Sequence, residues 1–336
     1  MTKKVTTGIL GAGQQNIATS QHLPASLKSE MVELKALCDR LESVHEYAAK
    51  AGVKAYNDYA QMLADPEIDM IQIATPDQFH CEHALMALAA GKHVLLQKPP
   101  CITLDEIQKL RDAASKSSGK LKIILNQRYS RLTRSIRKHI EDGVVGEVRE
   151  IIIKFRGRRF PIENLDSFYM KKESGGVWIH NTMHWLDEAV FYSDNMPSTI
   201  NVYSTKNENG IPQCLGGGPN YWSAVFPMGK VTFLFEYNTM LVKDNMPNGM
   251  QRIIIGTKGE MRQNYGSTEV FLYEKGSEEV KSLPILSPEL SNIEDSVDSF
   301  CRGIDDFAKE ILDGVERCPK IKDSLNLFEL LFEGVK

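Results

Sequence analysis

Over its first 125 residues the chain alternates short, almost unbroken apolar runs with segments of helical spacing, which leaves few folds open. Val5–Leu10, Met31–Cys38, Ala55-Tyr56, Met70–Ala74, His93–Leu96 and Leu121–Leu125 have the length and composition of strands. Ile17–Leu27, Leu41–Ala51, Tyr59–Leu63, His80–Ala90 and Leu104–Ser115 fall between them with helical spacing. Pro24 is expected to disturb the first helix, and Gly91 to close the fourth. Strands apolar at consecutive positions suit a sheet covered on both faces, which means a parallel α/β sheet. In such sheets ligands bind beyond the C-terminal strand ends.

The pattern changes after Asn126. Arg131–Glu141 has helical spacing, Glu147–Arg156 alternates and is β-branched, and Gly176–Tyr192 is again helical. Strand-like segments then follow closely at Thr199–Ser204, Tyr221–Phe226, Val231–Tyr237, Gln251–Gly256 and Val270–Tyr273. Strands in close succession without intervening helices indicate an antiparallel sheet. Asn207–Asn220 is expected to be an exposed loop, and Ile293–Leu312 and Ile321–Phe332 are expected to be closing helices. The chain therefore divides into an α/β domain over residues 1–125 and an α+β domain with a large, open, mainly antiparallel sheet over 126–336.

A net charge of −4 gives no basic footprint for nucleic acid or an anionic membrane. No apolar run approaches the roughly 18 residues that a bilayer requires. The six cysteines are scattered without a C-x-x-C pair, as expected of reduced thiols in the cytoplasm and not of a disulfide framework or zinc site.

Gly11-Ala12-Gly13-Gln14-Gln15-Asn16 follows the first strand and fits G-x-G-x-x-G except at its last position. The first glycine permits the tight turn, and the second lets the backbone approach a pyrophosphate held by helix N-terminal amides. Gly11, Gly13, Gln14, Gln15 and Asn16 are thus candidate cofactor residues of a Rossmann domain. Asp39 closes the second strand, where an acidic residue hydrogen-bonds the adenine ribose of NAD and repels a 2′-phosphate. The adjacent Arg40 is the group that would receive such a phosphate, so NAD is favoured and NADP stays open. Asp39 is also placed to cap the helix that follows.

Three further stretches complete a resemblance. Thr75-Pro76-Asp77-Gln78-Phe79-His80 ends the fourth strand, Gln97-Lys98-Pro99 ends the fifth, and Gly175–Asp187 carries His180, His184 and Asp187 at helical spacing. Together with the glycine turn they resemble the glucose-fructose oxidoreductase / inositol dehydrogenase / MocA (Gfo/Idh/MocA) family. Its motifs are T-P-[ND]-x-x-H, E-K-P and G-G-…-D-x-x-x-H-x-x-D. Two positions depart from them: Gln97 stands where the family has glutamate, and His180 where it has aspartate.

The resemblance implies hydride transfer between NAD(H) and the secondary hydroxyl or ketone carbon of a sugar, inositol or related cyclic polyol. It also implies a homodimer or homotetramer through the second sheet, and final helices that pack back on the nucleotide domain. Lys98 is expected to stabilise developing alkoxide charge, and His184 to act as general base and acid with His180 positioning a hydroxyl or relaying a proton. Asp77 is expected to cap the helix after it. Thr75, Pro76, His80, Gln97, Lys98 and Asn126 join the cofactor set; His80 also suits a purely structural role. Arg128, Tyr169, Lys172 and Asn181 join His180 and His184 as substrate contacts, Arg128 being suited also to buttressing the hinge between the domains. The basic run Lys154–Arg159 suits either a solvated edge or an anionic substrate group. H-x-x-x-H is a metal-ligand spacing too, but no third ligand is evident and no metal is expected. Two rival functions remain: a nucleotide-binding regulator without turnover, and a glycosidase that retains NAD and works through a transient ketone.

Overall fold

The computed structural model describes residues 3–157, 176–204, 221–238 and 249–334. Tyr169, Lys172, Arg158, Arg159 and the expected loop Asn207–Asn220 lie outside the described residues. The chain divides into two compact units, residues 1–130 with 290–326, and residues 131–289 with 327–336.

The first unit is built on a six-stranded parallel sheet. Its strands are β1 (Val5–Leu10), β2 (Val32–Cys38), β3 (Lys54–Tyr56), β4 (Met70–Ile73), β5 (His93–Gln97) and β6 (Leu121–Ile124), in the order β3-β2-β1-β4-β5-β6. The order reverses between β1 and β4, so the strand ends after Leu10 and Ile73 flank the switch point where such sheets bind ligands. Helices α2 (Val44–Ala51), α3 (Tyr59–Ala64), α4 (His80–Ala89) and α5 (Leu104–Lys116) are the crossovers. Pro24 does not break the first helical segment. A π turn over Ala18–His22 runs into α1 (Leu23–Lys28), and the proline occupies the first turn of α1, where no donor is required.

The long helix α8 (Asn292–Asp313) also belongs to this unit. It starts with a capping box between Ser291 and Glu294 and ends at Gly314 in the left-handed region, φ 76°. Its apolar face, Phe300, Ile304 and Phe307, packs with Val5, Met70, Leu95 and Ile124 of the sheet. Each fully buried side chain of this size contributes roughly 1.5–3 kcal/mol, so α8 is an integral part of the core of this unit.

The second unit holds an eight-stranded mixed sheet. In chain order its strands are β7 (Val148–Arg156), β8 (Asn201–Ser204), β9 (Tyr221–Met228), β10 (Val231–Asn238), β11 (Gly249–Gly256), β12 (Gly259–Gln263), β13 (Val270–Glu274) and β14 (Val280–Leu283). The sheet order is β14-β13-β12-β11-β7-β10-β9-β8, and only the central pair β7 and β10 is parallel. One face is aromatic and closed: Trp222 and Phe226 of β9 and Phe233, Phe235 and Tyr237 of β10 are buried. Trp178, Ile179, Met183 and Leu186 of α7 (Gly176–Ser193) are likewise buried. The helix α6 (Arg131–Glu141) belongs to this unit, and α9 (Ile321–Glu333) is divided between the two. Strands β12 and β14 were not anticipated, because Gly-Glu-Met-Arg-Gln and Val-Lys-Ser-Leu are too polar and too short to announce a strand. Among the described residues no helix is long and apolar enough to cross a membrane.

Candidate functional site

The glycine turn is shaped by two close approaches. Gly11 has φ +100°, and a Cβ there would lie 2.6 Å from the Ala74 carbonyl oxygen at the end of β4. A Cβ on Gly13 would lie 2.4 Å from Asp39 Cγ. The second glycine therefore makes room for a carboxylate of the chain itself. Asp39 Oδ2 accepts the Gly13 amide N–H at 2.9 Å, and Oδ1 accepts the Leu41 amide at 3.0 Å. The carboxylate pins the turns after β1 and β2 together, and its remaining lone pairs are left for a ligand.

Asn16, at the place of the third glycine, does a helix-capping job. Its Nδ2 donates to the Gly11 carbonyl at 2.8 Å, and its Oδ1 accepts the amides of Ala18 and Thr19 at 2.9 and 3.3 Å. Those two amides are thereby occupied. The amides of Gln14 and Gln15 make no hydrogen bond among the described residues. Two consecutive unsatisfied donors at the start of a helical segment are suited to an anion, and a carboxylate beside them is suited to ribose hydroxyls. The residues present thus fit a dinucleotide.

A cleft of about 580 Å³ opens along these turns. Of the anticipated cofactor residues, Gly11, Gln14, Asn16, Asp39, Arg40, Thr75 and Pro76 line it. Cys38, Leu41, Asn57, Asp58, Tyr59, Phe79 and His83 line it as well and were not anticipated. His83 follows Phe79 by one helical turn, so the i, i+4 spacing was the available signal. Its Nδ1 lies 3.1 Å from Thr75 Oγ1, and its ring packs edge-on to Tyr59 at 5.4 Å. Burial lowers its affinity for a second proton, so the cleft wall here is neutral and aromatic.

Gly13, Gln15, His80, Gln97, Lys98 and Asn126 do not line this cleft. His80 is fully buried, with Nδ1 at 2.6 Å from the Pro99 carbonyl and Nε2 at 2.7 Å from the Thr75 carbonyl. It ties the turn after β4 to the turn after β5. Asp77 opens the 3-10 turn Asp77–Phe79 that runs into α4. Asp77 is itself buried, and its charge favours the ammonium of Lys98. Lys98 is 9% exposed, and burial outweighs Asp77, lowering the amine from its ordinary 10.5 to about 8. Gln97 is buried beside it and accepts the Lys98 amide N–H at 2.8 Å. Asn126 and Arg128 sit in a 3-10 turn after β6, Asn126 half-buried and Arg128 buried.

In the second unit His180 and His184 occupy successive turns of α7, and both are half-buried. Asn181 hydrogen-bonds the Tyr237 hydroxyl, whose phenol burial pushes up to about 12. Asp187 is buried. One turn beyond His184, Glu188 is fully buried and takes both Nε and Nη2 of Arg252 together with the Tyr192 hydroxyl. Arg252 also donates to Gln263 at 3.0 Å and lies over the Trp185 ring at 5.7 Å. This buried network anchors α7 to β11 and β12. Lys154 is 3.9 Å from Glu236, and Arg156 lies over the Tyr265 ring, so the described part of the basic run is engaged by its own sheet.

The description "Oxidoreductase family, NAD-binding Rossmann fold" of Gfo/Idh/MocA matches residues 5–124, and the family's C-terminal domain matches residues 133–262. The chain belongs to the Gfo/Idh/MocA family. D-glucoside 3-dehydrogenase of Escherichia coli (strain K12) is 32% identical over 186 residues, 54% of this chain and 52% of the relative. The match thus spans about half the length of that enzyme. An uncharacterized oxidoreductase, YrbE, of Bacillus subtilis (strain 168) is 28% identical over 272 residues, 77% of this chain and 73% of the relative. Levoglucosan dehydrogenase, solved with NADH and levoglucosan, superposes with TM-score 0.80 at 19% identity, over 99% of this chain and 97% of that one. This last likeness is one of fold.

Proposed function

We propose that this protein is an NAD(H)-dependent oxidoreductase acting between the secondary hydroxyl and the ketone of a sugar, inositol or related cyclic polyol. The observation that carries the reading is the cleft at the switch point. Gln14 lines it, and the Gln14 and Gln15 amides, which make no hydrogen bond among the described residues, lie in the same turn as Gly13, which makes room for the Asp39 carboxylate. Gly11, Gln14, Gln15 and Asn16 hold the pyrophosphate turn, and Asp39 takes the adenine ribose, which favours NAD over NADP. When bound, the dinucleotide supplies the hydride acceptor or donor.

The remaining work falls to side chains assigned by the family motif each one matches. Lys98 stabilises charge that develops on the substrate oxygen, and its amine at about 8 is able to exchange a proton near neutral pH. His184 is the second acid–base group, and His180 and Asn181 orient substrate hydroxyls together with Arg128. Tyr169 and Lys172 keep this role by resemblance. The names of the relatives support the substrate class, since one acts on a D-glucoside and another was solved with levoglucosan.

The test is fluorescence titration with NADH and NADPH, followed by NAD reduction against a panel of inositols, aldoses and glycosides. Accumulation of NADH with one of them is the expected result. Glycoside consumption without net NADH would replace the reading with the redox-neutral glycosidase. Binding without any turnover would replace it with the regulator.

A further inference from the structure

The dinucleotide cleft holds a second carboxylate that no motif accounts for. Asp58 lines it together with Asp39 and Arg40, and among the described residues these three are its aspartate, glutamate, lysine and arginine side chains. The two aspartates come from neighbouring strands. β2 and β3 pair with Cys38 opposite Tyr56, so Asp39 is the first residue past β2 and Asp58 the second past β3. Adjacent strands lie about 4.8 Å apart, and the two turns leave the sheet side by side.

Both turns are tied to one another. The Asp39 amide donates to the Tyr56 carbonyl at 3.1 Å, and Asn57 Nδ2 donates to the Asp39 carbonyl at 3.2 Å. Asn57 Oδ1 accepts from His45 Nε2 at 2.7 Å, so both ends of this amide are held. The Asp39 carboxylate is pinned by the Gly13 and Leu41 amides and cannot swing away from a group placed against it.

Asp58 has a local task as well. It is the N-cap of α3, and its Oδ1 accepts the Ala60 amide at 2.8 Å. That task needs one oxygen and no charge, since asparagine and serine cap helices about as well as aspartate. The charge is surplus to the cap, and Asp58 carries it at the wall of the cleft. Lys54 of β3 does not offset it, because its ammonium is engaged by Asp65 at 3.2 Å and Glu67 at 2.6 Å.

Two carboxylates against one guanidinium leave this wall net negative. A ribose 2′-hydroxyl is neutral and donates a hydrogen bond to a carboxylate. A 2′-phosphate carries close to two negative charges at neutral pH and is repelled by it. We propose that Asp58 is a second specificity-determining residue of the cleft: with Asp39 it sets negative charge around the adenosine ribose, so that a free 2′-hydroxyl is accepted and a 2′-phosphate refused in spite of Arg40. The inference rests on the dinucleotide reading of the cleft and adds a residue that decides between two nucleotides. On this account Asp39 is one of two barriers, and its removal alone narrows the preference without exhausting it.

The deciding quantity is the ratio of the NADPH and NADH dissociation constants (NADPH over NADH), read by fluorescence quenching on the full-length protein without substrate. Asp58→Asn keeps the cap and removes the charge. A unit charge several ångströms from a phosphate, in a cleft open to water, changes affinity by about three- to tenfold, and the ratio is expected to fall by that factor. In Asp39→Asn combined with Asp58→Asn the two decreases are expected to combine, because Arg40 is then unopposed. If Asp58→Asn does not fold, Asp58→Ser supplies another capping oxygen without charge and carries the same expectation. An unchanged ratio in whichever variant folds overturns the proposal and leaves Asp58 a helix cap. So does an equal loss of affinity for both nucleotides, or a double variant no different from Asp39→Asn alone. A parent that binds NADPH more tightly than NADH overturns it too, and a parent that binds neither refutes the dinucleotide reading along with it. A ratio that falls as expected in a protein that oxidises no polyol would uphold Asp58 and refute the oxidoreductase reading alone.

Discussion

Replacing Lys98 with methionine is expected to make the protein more stable while removing its activity. Lys98 is 9% exposed, and its amine is lowered from 10.5 to about 8 even with the attraction of Asp77 included. At about 1.4 kcal/mol per pKa unit, holding it as ammonium in the folded protein costs about 3 kcal/mol at pH 7. The sign follows from proton counts. The folded pKa is depressed, so between pH 8 and 10.5 the unfolded chain binds more protons, and stability rises with pH across that window. Below pH 8 the whole cost is present, and above 10.5 it is gone. Methionine has similar length and no charge, so Lys98→Met removes the cost at every pH. Urea melts of the two proteins are expected to differ by about 3 kcal/mol at pH 7 and by about 1–2 kcal/mol at pH 9.5. For a unit of this size the first figure corresponds to a rise in Tm of roughly 2–4 °C per kcal/mol. The same substitution is expected to lower kcat by about 10²-fold or more. A variant no more stable than the parent at pH 7, or a gap that does not narrow with pH, would refute the account of Lys98 as a destabilising, functionally retained charge.

Asp39→Ala is expected to raise the Kd for NADH by about tenfold, the worth of one charge-assisted hydrogen bond, and to narrow the preference over NADPH, both read by fluorescence quenching. Tighter NADPH binding by the parent would contradict this and transfer the role to Arg40. Arg252→Leu is expected to lower stability by about 3–5 kcal/mol in urea melts, because it leaves the fully buried Glu188 carboxylate uncompensated, and Arg252→Leu with Glu188→Leu is expected to recover most of the loss. His180→Asp restores the residue type of the family motif, so kcat on a neutral polyol is expected to stay within about tenfold of the parent, well inside the range of a lost acid–base group. Unchanged kcat, KM and pH profile would place His180 outside the site.

The two sheets were legible because hydrophobic pattern reports burial. The Rossmann strands, apolar at consecutive positions, and the alternating run Val231–Tyr237 both match their observed environments, with β10 buried at every second residue. What escaped was set by context. Strand β14 is a polar edge with Val280 49% exposed, and its pairing to β13 comes from backbone hydrogen bonds that leave no trace in the side chains. In the sequence Asp77 reads only as a candidate cap for the helix after it. Only the fold brings its charge to bear on Lys98, which is distant in sequence.

The site teaches a further point about motif departures. Read along the sequence, Asn16 and Gln97 are simply positions where the motif's glycine and glutamate are missing. In three dimensions each has partners that fit the new side chain. Asn16 spends its amide on Gly11, Ala18 and Thr19, and it thereby moves the available donors of the turn to Gln14 and Gln15. Gln97 spends its amide on Lys98 and His22, and the buried Gln72, Ser26 and Thr7 continue the pattern. A buried polar group without partners costs about 1–3 kcal/mol. Side chains that arrive with a full set of partners are therefore integrated features of this chain, and a lone loss of function would have left such partners unmet. That distinction is invisible in the motif itself, because His22 and Gln72 belong to no motif and lie far from Gln97 in sequence. It is the reason Gln97→Glu, a return to the family residue, is expected to perturb this protein and not to improve it.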